Sequence, residues 1–237
     1  MFYIDPYYLL LVLPAIILSL WASLRVNTTF KRYADQYARS GLTGADAARR
    51  ILDRNGLRHV RVMQTKGHLT DHYNPKDQTI YLSQSVYSSA SCSAIGVAAH
   101  EAGHAVQHAE EYVPIKIRSA IIPATNFGAK LSVPLVLIGL LLTYLIPERP
   151  ELILFAYAGV LLFSLTALFQ LVTLPTEYNA SARALKALDE SGTLTREELG
   201  KAKKVLSAAA LTYVAALLVS LMQLLRLLLM VRGNDRR

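Results

Sequence analysis

ELILFAYAGVLLFSLTALFQLVTLP, residues 151–175, decides the class of fold, because its only charged residue is its first, Glu151. A helix needs roughly 20 apolar residues to cross a bilayer core about 30 Å thick. A run of this length without an internal charge therefore predicts a membrane-spanning helix.

Three further apolar runs lie along the chain. The first, residues 7–24, carries Tyr and Trp near its two ends, where membrane helices meet water. Its alternative is a cleaved signal peptide, but such peptides begin with positive charge, and residues 1–6 contain only Asp5. The other two runs end at Ile146 and Val231. We predict membrane helices at residues 1–25, 119–146, 151–175 and 205–231.

Composition agrees with a protein dissolved partly in lipid. Apolar residues make up 53% of the chain and charged residues 18%, whereas soluble domains carry about a quarter charged residues. One cysteine, Cys92, excludes an internal disulfide scaffold, and the hydrophobicity excludes disorder. The net charge of +8 would suggest nucleic acid in a soluble protein. In a membrane protein it marks cytoplasmic segments instead, so we predict no nucleic-acid partner.

Four spans place the two polar stretches, residues 26–118 and 176–204, on the same side of the membrane. Arg25, Lys31 and Arg32 follow the first span, and no positive charge precedes it. This asymmetry predicts that both stretches are cytoplasmic. The basic C-terminal tail favours the opposite orientation.

The longer polar stretch reads as a helix, then strands, then a second helix. Thr43 favours a helix start and Gly56 its end. Residues 59–65 alternate as a strand does, and turn residues then lead to another strand at 79–82. We predict a small β-hairpin or meander here. The alanine-rich, proline-free segment 91–109 predicts the helix that follows.

The shorter polar stretch predicts two helices. Residues 177–188 read as a new helix that ends at Gly192. Thr195 and Glu198 have the spacing of a capping box, which opens the next helix.

The predicted helix 91–109 contains HEAGH at residues 100–104. On a helix, His100 and His104 lie about 6 Å apart along the axis and on one face, so both rings can reach a single zinc ion. Glu101 stands beside them, where a carboxylate can take a proton from an activated water and return it to a leaving amine. The small residues around the motif, with Gly103 beside the metal, favour a Zn²⁺ site. The alternative is a helix with surface histidines and a chance glutamate.

A catalytic zinc needs a third protein ligand. His108 cannot join both other histidines, because it lies about 12 Å from His100 along the same helix. Glu110 and Glu111 are too close in sequence to fold back. Glu177, on the predicted new helix, remains. Its alternative is a first-turn glutamate that favours the helix dipole, and spacing alone does not decide between the two.

The segments LTDHYNP, IGVAAHEAGHAVQHAE and LPTEYNASARAL resemble the bacterial YugP-like family of membrane zinc metallopeptidases, and the likeness extends over about residues 25–188. That family is similar at the site to HtpX-type membrane proteases, in which a glutamate of a second helix supplies the third ligand. The resemblance implies that His100, His104 and Glu177 are zinc ligands and that Glu101 is the general base.

One position departs from the HtpX pattern. Ser181 stands where that pattern has aspartate, so either Ser181 or Asn179 is expected to hold a zinc-binding histidine. The reaction also needs a donor for the oxyanion, and we expect Arg183 to provide it. The alternative for Arg183 is a solvated cation. Other candidates for the donor are His72, Tyr73 and Tyr178.

Together these features predict a mainly α fold, in which four transmembrane helices carry a zincin-like α+β catalytic domain built from residues 26–118 and 176–204. The predicted function is a membrane-embedded zinc endopeptidase, surrounded by lipid, that cleaves peptides or proteins at the cytoplasmic face of a bacterial plasma membrane. The substrate is expected to add as a strand to residues 79–83. A zinc-stabilised scaffold or adaptor without turnover is the alternative, and a metal-free membrane protein is a third reading. The oligomeric state leaves no sign in the sequence.

Overall fold

The computed structural model describes residues 5–234, and helices dominate this part of the chain. A π-helical turn, Tyr8–Val12, leads into the first helix, and a 3₁₀ turn, Pro150–Leu152, precedes the sixth. The helices are α1 (Leu13–Ala34), α2 (Gly44–Arg54), α3 (Gln84–Tyr87), α4 (Cys92–Ala109), α5 (Val113–Leu145), α6 (Ile153–Glu190) and α7 (Arg196–Asn234). The strands are β1 (Arg61–Thr65), β2 (His72–Asn74) and β3 (Thr79–Ser83). The predicted mainly α fold with a small β part is confirmed.

Among the described residues, four helical segments are long and apolar enough to cross a membrane, as the sequence predicts. They are Tyr8–Ala34, Val113–Leu145, Pro150–Glu190 and Arg196–Asn234. Each helix continues beyond its apolar run into a polar stretch.

The third of these helices differs from the prediction. A new helix was expected at residues 177–188, but α6 continues without a break from Ile153 to Glu190. Pro175 lies inside it, as Pro123 and Pro134 lie inside α5. A proline removes one backbone hydrogen bond, and neighbouring groups in long membrane helices compensate for that loss. The predicted end is confirmed, because α6 stops just before Gly192, whose φ is +61°.

The chain divides into two compact units. One combines Ile117–Leu174 with the described residues up to Trp21 and from Tyr213. The other consists of Ala22–Lys116 and Pro175–Thr212, and it contains every residue predicted for the site.

Small residues and one ion pair characterise the first unit. Gly139 lies against Ala156, and a Cβ added to Gly159 would come within 2.6 Å of the Ser132 carbonyl oxygen, so α5 and α6 are in backbone contact. Small residues allow this close packing in membranes. Arg226, which interrupts the last apolar run, donates to the Asp5 carboxylate at 2.7 Å. Its charge is therefore paired.

The second unit contains a three-stranded sheet with the order β1-β3-β2. The predicted hairpin is formed by β2 and β3, which are antiparallel. The alternative of a meander is wrong, because β1 pairs with β3 in parallel. Strand β3 is thus central and paired on both sides, so the expectation that a substrate adds to residues 79–83 is also wrong.

Helix α4 packs into the core of this second unit. It begins after Ser91, whose side chain accepts from the Ala94 N–H at 3.3 Å. The core includes Leu52 of α2, Ile80 and Leu82 of β3 and Ile95 of α4, all fully buried. Burial on several faces fixes α4, and with it the HEAGH residues, against the sheet and α2.

Candidate metal centre

His100 and His104 lie one turn apart on α4 and face the same region. Their ring centroids are 4.7 Å apart in an edge-to-face arrangement, and their side chains are 14% and 12% exposed. The i, i+4 spacing thus places both imidazoles side by side in a largely buried setting, as the sequence predicts.

Glu177 of α6 brings a carboxylate to this pair. Its Oε2 lies 3.2 Å from His100 Nε2 and 3.4 Å from His104 Nε2, and the residue is 2% exposed. It is not a first-turn residue, because α6 begins at Ile153. Ligand atoms of the three side chains lie within 4.8 Å of one another. Two imidazole nitrogens and one carboxylate oxygen form a donor set that suits zinc.

The close approach of α4 and α6 depends on Gly103. A Cβ at this position would stand 2.6 Å from the carbonyl oxygen of Ala180, inside any allowed contact. The free space of Gly103 was expected beside the metal, but it is filled by the backbone of α6. The glycine therefore matters because it lets the glutamate helix approach the histidine helix.

Hydrogen bonds hold the far nitrogen of each histidine. His100 Nδ1 lies 3.1 Å from Ser181 Oγ, and His104 Nδ1 lies 2.9 Å from Gln107 Oε1. Since Nδ1 is engaged in both rings, each presents Nε2 to Glu177. Partners of this kind orient metal ligands and fix their tautomer.

The two residues proposed to hold a zinc-binding histidine have different positions. Ser181 contacts His100 directly. Asn179 reaches His104 only through Gln107, whose amide nitrogen is 2.9 Å from Asn179 Oδ1. Gln107 was missed by sequence reasoning. Its spacing of three residues from His104 on one helix is the signal that could have found it.

Glu101 is 8% exposed, and its Oε2 accepts the backbone N–H of Tyr73 at 3.0 Å. Tyr73 belongs to β2, an edge strand of the sheet. The carboxylate expected to act as the base is therefore fixed by the strand beside it, through a main-chain group.

A half-buried carboxylate supports this strand. Asp71 accepts from the backbone N–H of Ser83 at 2.7 Å and from its hydroxyl at 3.0 Å. Burial raises the pKa of Asp71 above its ordinary value, although the hydrogen bonds from Ser83 act in the opposite direction. Asp71 thus ties the start of β2 to the end of β3.

The charge of the site also affects His104. Burial alone would lower the pKa of His104, but the hydrogen bond to Glu177 and the negative charges of Glu101 and Glu177 raise it above its ordinary value. The surroundings of the two histidines are thus negatively charged, as a cation site requires.

The remaining candidates lie in other contacts. Arg183 donates from Nε to Asn179 Oδ1 at 2.7 Å and pairs with Glu110 at 2.6 Å. His72 stacks on the ring of Tyr81, and His108 lies against Tyr73, with ring centroids 5.5 Å apart. Tyr178, the last candidate for the oxyanion donor, is half exposed on α6.

The fold and the site define a membrane protein that carries a zincin-type donor set on two packed helices. The sequence model of the family described as "Putative neutral zinc metallopeptidase" matches residues 8–232. The chain is also 46% identical over 229 residues to "Putative membrane protease YugP" of Bacillus subtilis (strain 168), which covers 96% of this chain and 98% of that protein. The chain belongs to this family, so the resemblance seen in the sequence is confirmed.

The family description names zinc as its metal, and the side chains of His100, His104 and Glu177 fit that ion. No solved structure matches the chain.

Proposed function

We propose that this protein is a membrane-embedded zinc endopeptidase, with His100, His104 and Glu177 as metal ligands and Glu101 as general base. One observation carries the proposal. The carboxylate of Glu177 lies 3.2 and 3.4 Å from two Nε2 atoms whose rings are held from behind, so three donors converge on one point. Family membership supports zinc as the ion and a peptide or protein as the substrate.

A bound zinc ion supplies Lewis-acid chemistry, since it makes a water molecule nucleophilic near neutral pH and polarises the scissile carbonyl. Glu101 accepts and donates the protons. The N–H of Tyr73 occupies its Oε2, which orients the carboxylate and leaves Oε1 to accept a proton from the attacking water. The same oxygen then delivers that proton to the leaving amine.

The extended substrate is proposed to bind along β2. This strand lies at an edge of the sheet, and Tyr73 on it already contacts Glu101. A peptide backbone that pairs with an edge strand gains main-chain hydrogen bonds that depend little on its sequence. Since the Tyr73 N–H is held by Glu101, the substrate is proposed to pair with the Tyr73 carbonyl oxygen. Substrate addition at β2, rather than at the central β3, brings the scissile bond beside the base.

The site is proposed to face the cytoplasm. Arg25, Lys31 and Arg32 lie in the C-terminal part of the first membrane-length helix, after its apolar run, which favours retention of that flank on the inner side. Glu177 and HEAGH belong to polar stretches that four spans would return to one side.

The decisive experiment compares Glu101→Gln with Glu111→Gln in the purified full-length protein. The two changes are identical in chemistry, but Glu111 is exposed and pairs with Lys116. We expect Glu101→Gln to retain zinc, by metal analysis, and to lose cleavage of casein or a quenched peptide, while Glu111→Gln retains both. Unchanged cleavage by Glu101→Gln would refute the assignment. Stoichiometric zinc without cleavage by the wild type would favour the scaffold.

A further inference from the structure

A line of hydrogen bonds runs from Arg183 to His104. Arg183 Nε donates to Asn179 Oδ1 at 2.7 Å, and Gln107 Nε2 donates to the same oxygen at 2.9 Å. The Gln107 amide nitrogen also donates to the carbonyl oxygen of Thr176 at 2.8 Å. Its amide oxygen lies 2.9 Å from His104 Nδ1.

Two groups of fixed character set the direction of every bond in this line: the Arg183 guanidinium, which only donates, and the Thr176 carbonyl, which only accepts. A guanidinium only donates, so the atom of Asn179 that faces Arg183 must be its oxygen. The Gln107 atom that faces this oxygen must then be the NH₂ group, which also suits the Thr176 carbonyl. The oxygen of Gln107 therefore faces His104, and a carbonyl oxygen only accepts. His104 Nδ1 must carry a proton.

We propose that Arg183 is a positioning residue. Through Asn179 it restrains the Gln107 amide, which the Thr176 carbonyl also orients, and it thereby helps to hold His104 in its Nδ1–H form with Nε2 directed to the metal. Arg183 thereby acts on the metal ligand His104, and we propose this role in place of the expected one as hydrogen-bond donor to the oxyanion. The proposal rests on the proposed function for the metal, but the proton on Nδ1 is a property of the protein alone.

Burial protects the line. Gln107 and Thr176 are fully buried, so water cannot replace a lost partner there. The guanidinium reaches the line from a partly exposed position, with its side chain 28% exposed. Glu110 contacts a different nitrogen of Arg183, Nη1, and the Glu110 side chain is 54% exposed. The ion pair and the bond to Asn179 can therefore be removed separately.

The second histidine provides an internal comparison. His100 Nδ1 contacts the Ser181 hydroxyl, and a hydroxyl can donate or accept. No obligate donor fixes that contact. Changes at Arg183 should therefore affect His104 and leave His100 unaffected.

The test measures zinc affinity by chelator competition in the full-length protein. Loss of a partner behind a metal ligand weakens binding by about 10- to 100-fold. We expect Arg183→Met and Asn179→Leu to weaken binding about tenfold. Asn179→Asp keeps an acceptor for both Arg183 and Gln107, and Glu110→Gln keeps the Arg183 to Asn179 bond, so both should bind zinc within about twofold of the wild type.

A second readout is the Nδ1 proton of His104 in the metal-free protein, since zinc at Nε2 would itself leave the proton on Nδ1. It is observed by nitrogen NMR on histidine-labelled protein and assigned by comparison with His104→Gln. Wild type, Asn179→Asp and Glu110→Gln should show it, whereas Arg183→Met and Asn179→Leu should lose it in part. The His100 signals should not change. If Arg183→Met does not fold, the comparison of Asn179→Leu with Asn179→Asp tests the proposal instead.

The proposal is wrong if Arg183→Met, or Asn179→Leu with an unchanged melting temperature, binds zinc as the wild type does. It is also wrong if Glu110→Gln weakens binding as much as Arg183→Met, since the ion pair would then be the cause. A wild type that binds no zinc would refute the proposed function instead. The Nδ1 proton in the metal-free protein would then decide on this inference.

Discussion

Gly103 and Ala180 are in backbone contact, and a side chain at Gly103 would collide with the Ala180 carbonyl oxygen at 2.6 Å. Gly103→Ala should therefore push α6 away from α4, reduce zinc occupancy and lower stability by about 1–3 kcal/mol, as overpacking does. Thermal unfolding and metal analysis measure both effects. The control is Gly200→Ala, where an added Cβ meets nothing within 4 Å, so zinc content should be preserved and stability should not fall. Full zinc occupancy in Gly103→Ala would contradict the role given to this contact.

Loss of Glu177 should affect both zinc affinity and cleavage, whereas loss of Glu101 should affect cleavage alone. Glu177→Ala removes one of three donors, so zinc affinity should fall by about 100-fold or more, and cleavage should disappear with the metal. Glu101→Gln should lose cleavage and keep zinc. Glu190→Ala, a matched change at an exposed position of the same helix, should alter neither quantity. A Glu177→Ala protein that binds zinc normally would exclude this residue as a ligand.

Zinc removal should lower the melting temperature. A ligand that binds only the folded state stabilises it by about 4 kcal/mol at a concentration 1,000 times its dissociation constant. Thermal unfolding of the wild type, recorded after chelation and after zinc is restored, measures the difference. The same shift is expected for Glu101→Gln, and a much smaller one is expected for Glu177→Ala. An equal shift in all three proteins would place the bound zinc elsewhere.

Asp71 predicts a pH dependence of stability. Its pKa is raised in the folded state, so the folded protein binds this proton more tightly than the unfolded chain does. The stabilisation that comes from protonated Asp71 is fully present below the ordinary pKa of an aspartate. It is lost as the pH rises through the raised pKa of Asp71 in the folded protein. Asp71→Asn carries no such proton, so its melting temperature should rise relative to the wild type across that range. Unfolding curves between acidic and neutral pH test the sign, and a constant difference would refute it.

The β2 edge can be tested without touching the metal. Asp71→Ala removes the acceptor of both Ser83 donors, which should cost about 1–3 kcal/mol and loosen the strand that holds Glu101. Peptide cleavage should fall while zinc affinity stays near the wild-type value. Asp77→Ala, on the exposed turn of the same hairpin, is the control and should leave cleavage intact. Equal losses in the two variants would point to a general effect of the hairpin.

Local signals in the sequence predicted local structure well. Thr43 accepts from the Asp46 N–H at 3.2 Å, and Thr195 accepts from the Glu198 N–H at 3.3 Å, so both helix starts are confirmed. These contacts span three residues, and the identity of the residues alone determines them. The i, i+4 pair of histidines follows from helix geometry in the same way.

The remaining features depend on partners far along the chain. A new helix was expected at residues 177–188, because local patterns do not register the packing that keeps α6 continuous through Pro175. The parallel pairing of β1 with β3 also lies outside local patterns. Gln107 escaped notice because its partners, Thr176 and Asn179, lie 69 and 72 residues away.

The separation of the donors along the chain has a consequence for biosynthesis. His104 lies on α4, whereas Glu177 follows α5 and most of α6, so two membrane-length helices are translated between them. A ribosome-bound chain that ends before α6 has only two of the three donors, and it also lacks Asn179 and Arg183. The nascent chain therefore cannot hold the metal in its final arrangement, and hydrolysis by the proposed site has to wait until these helices have been synthesised.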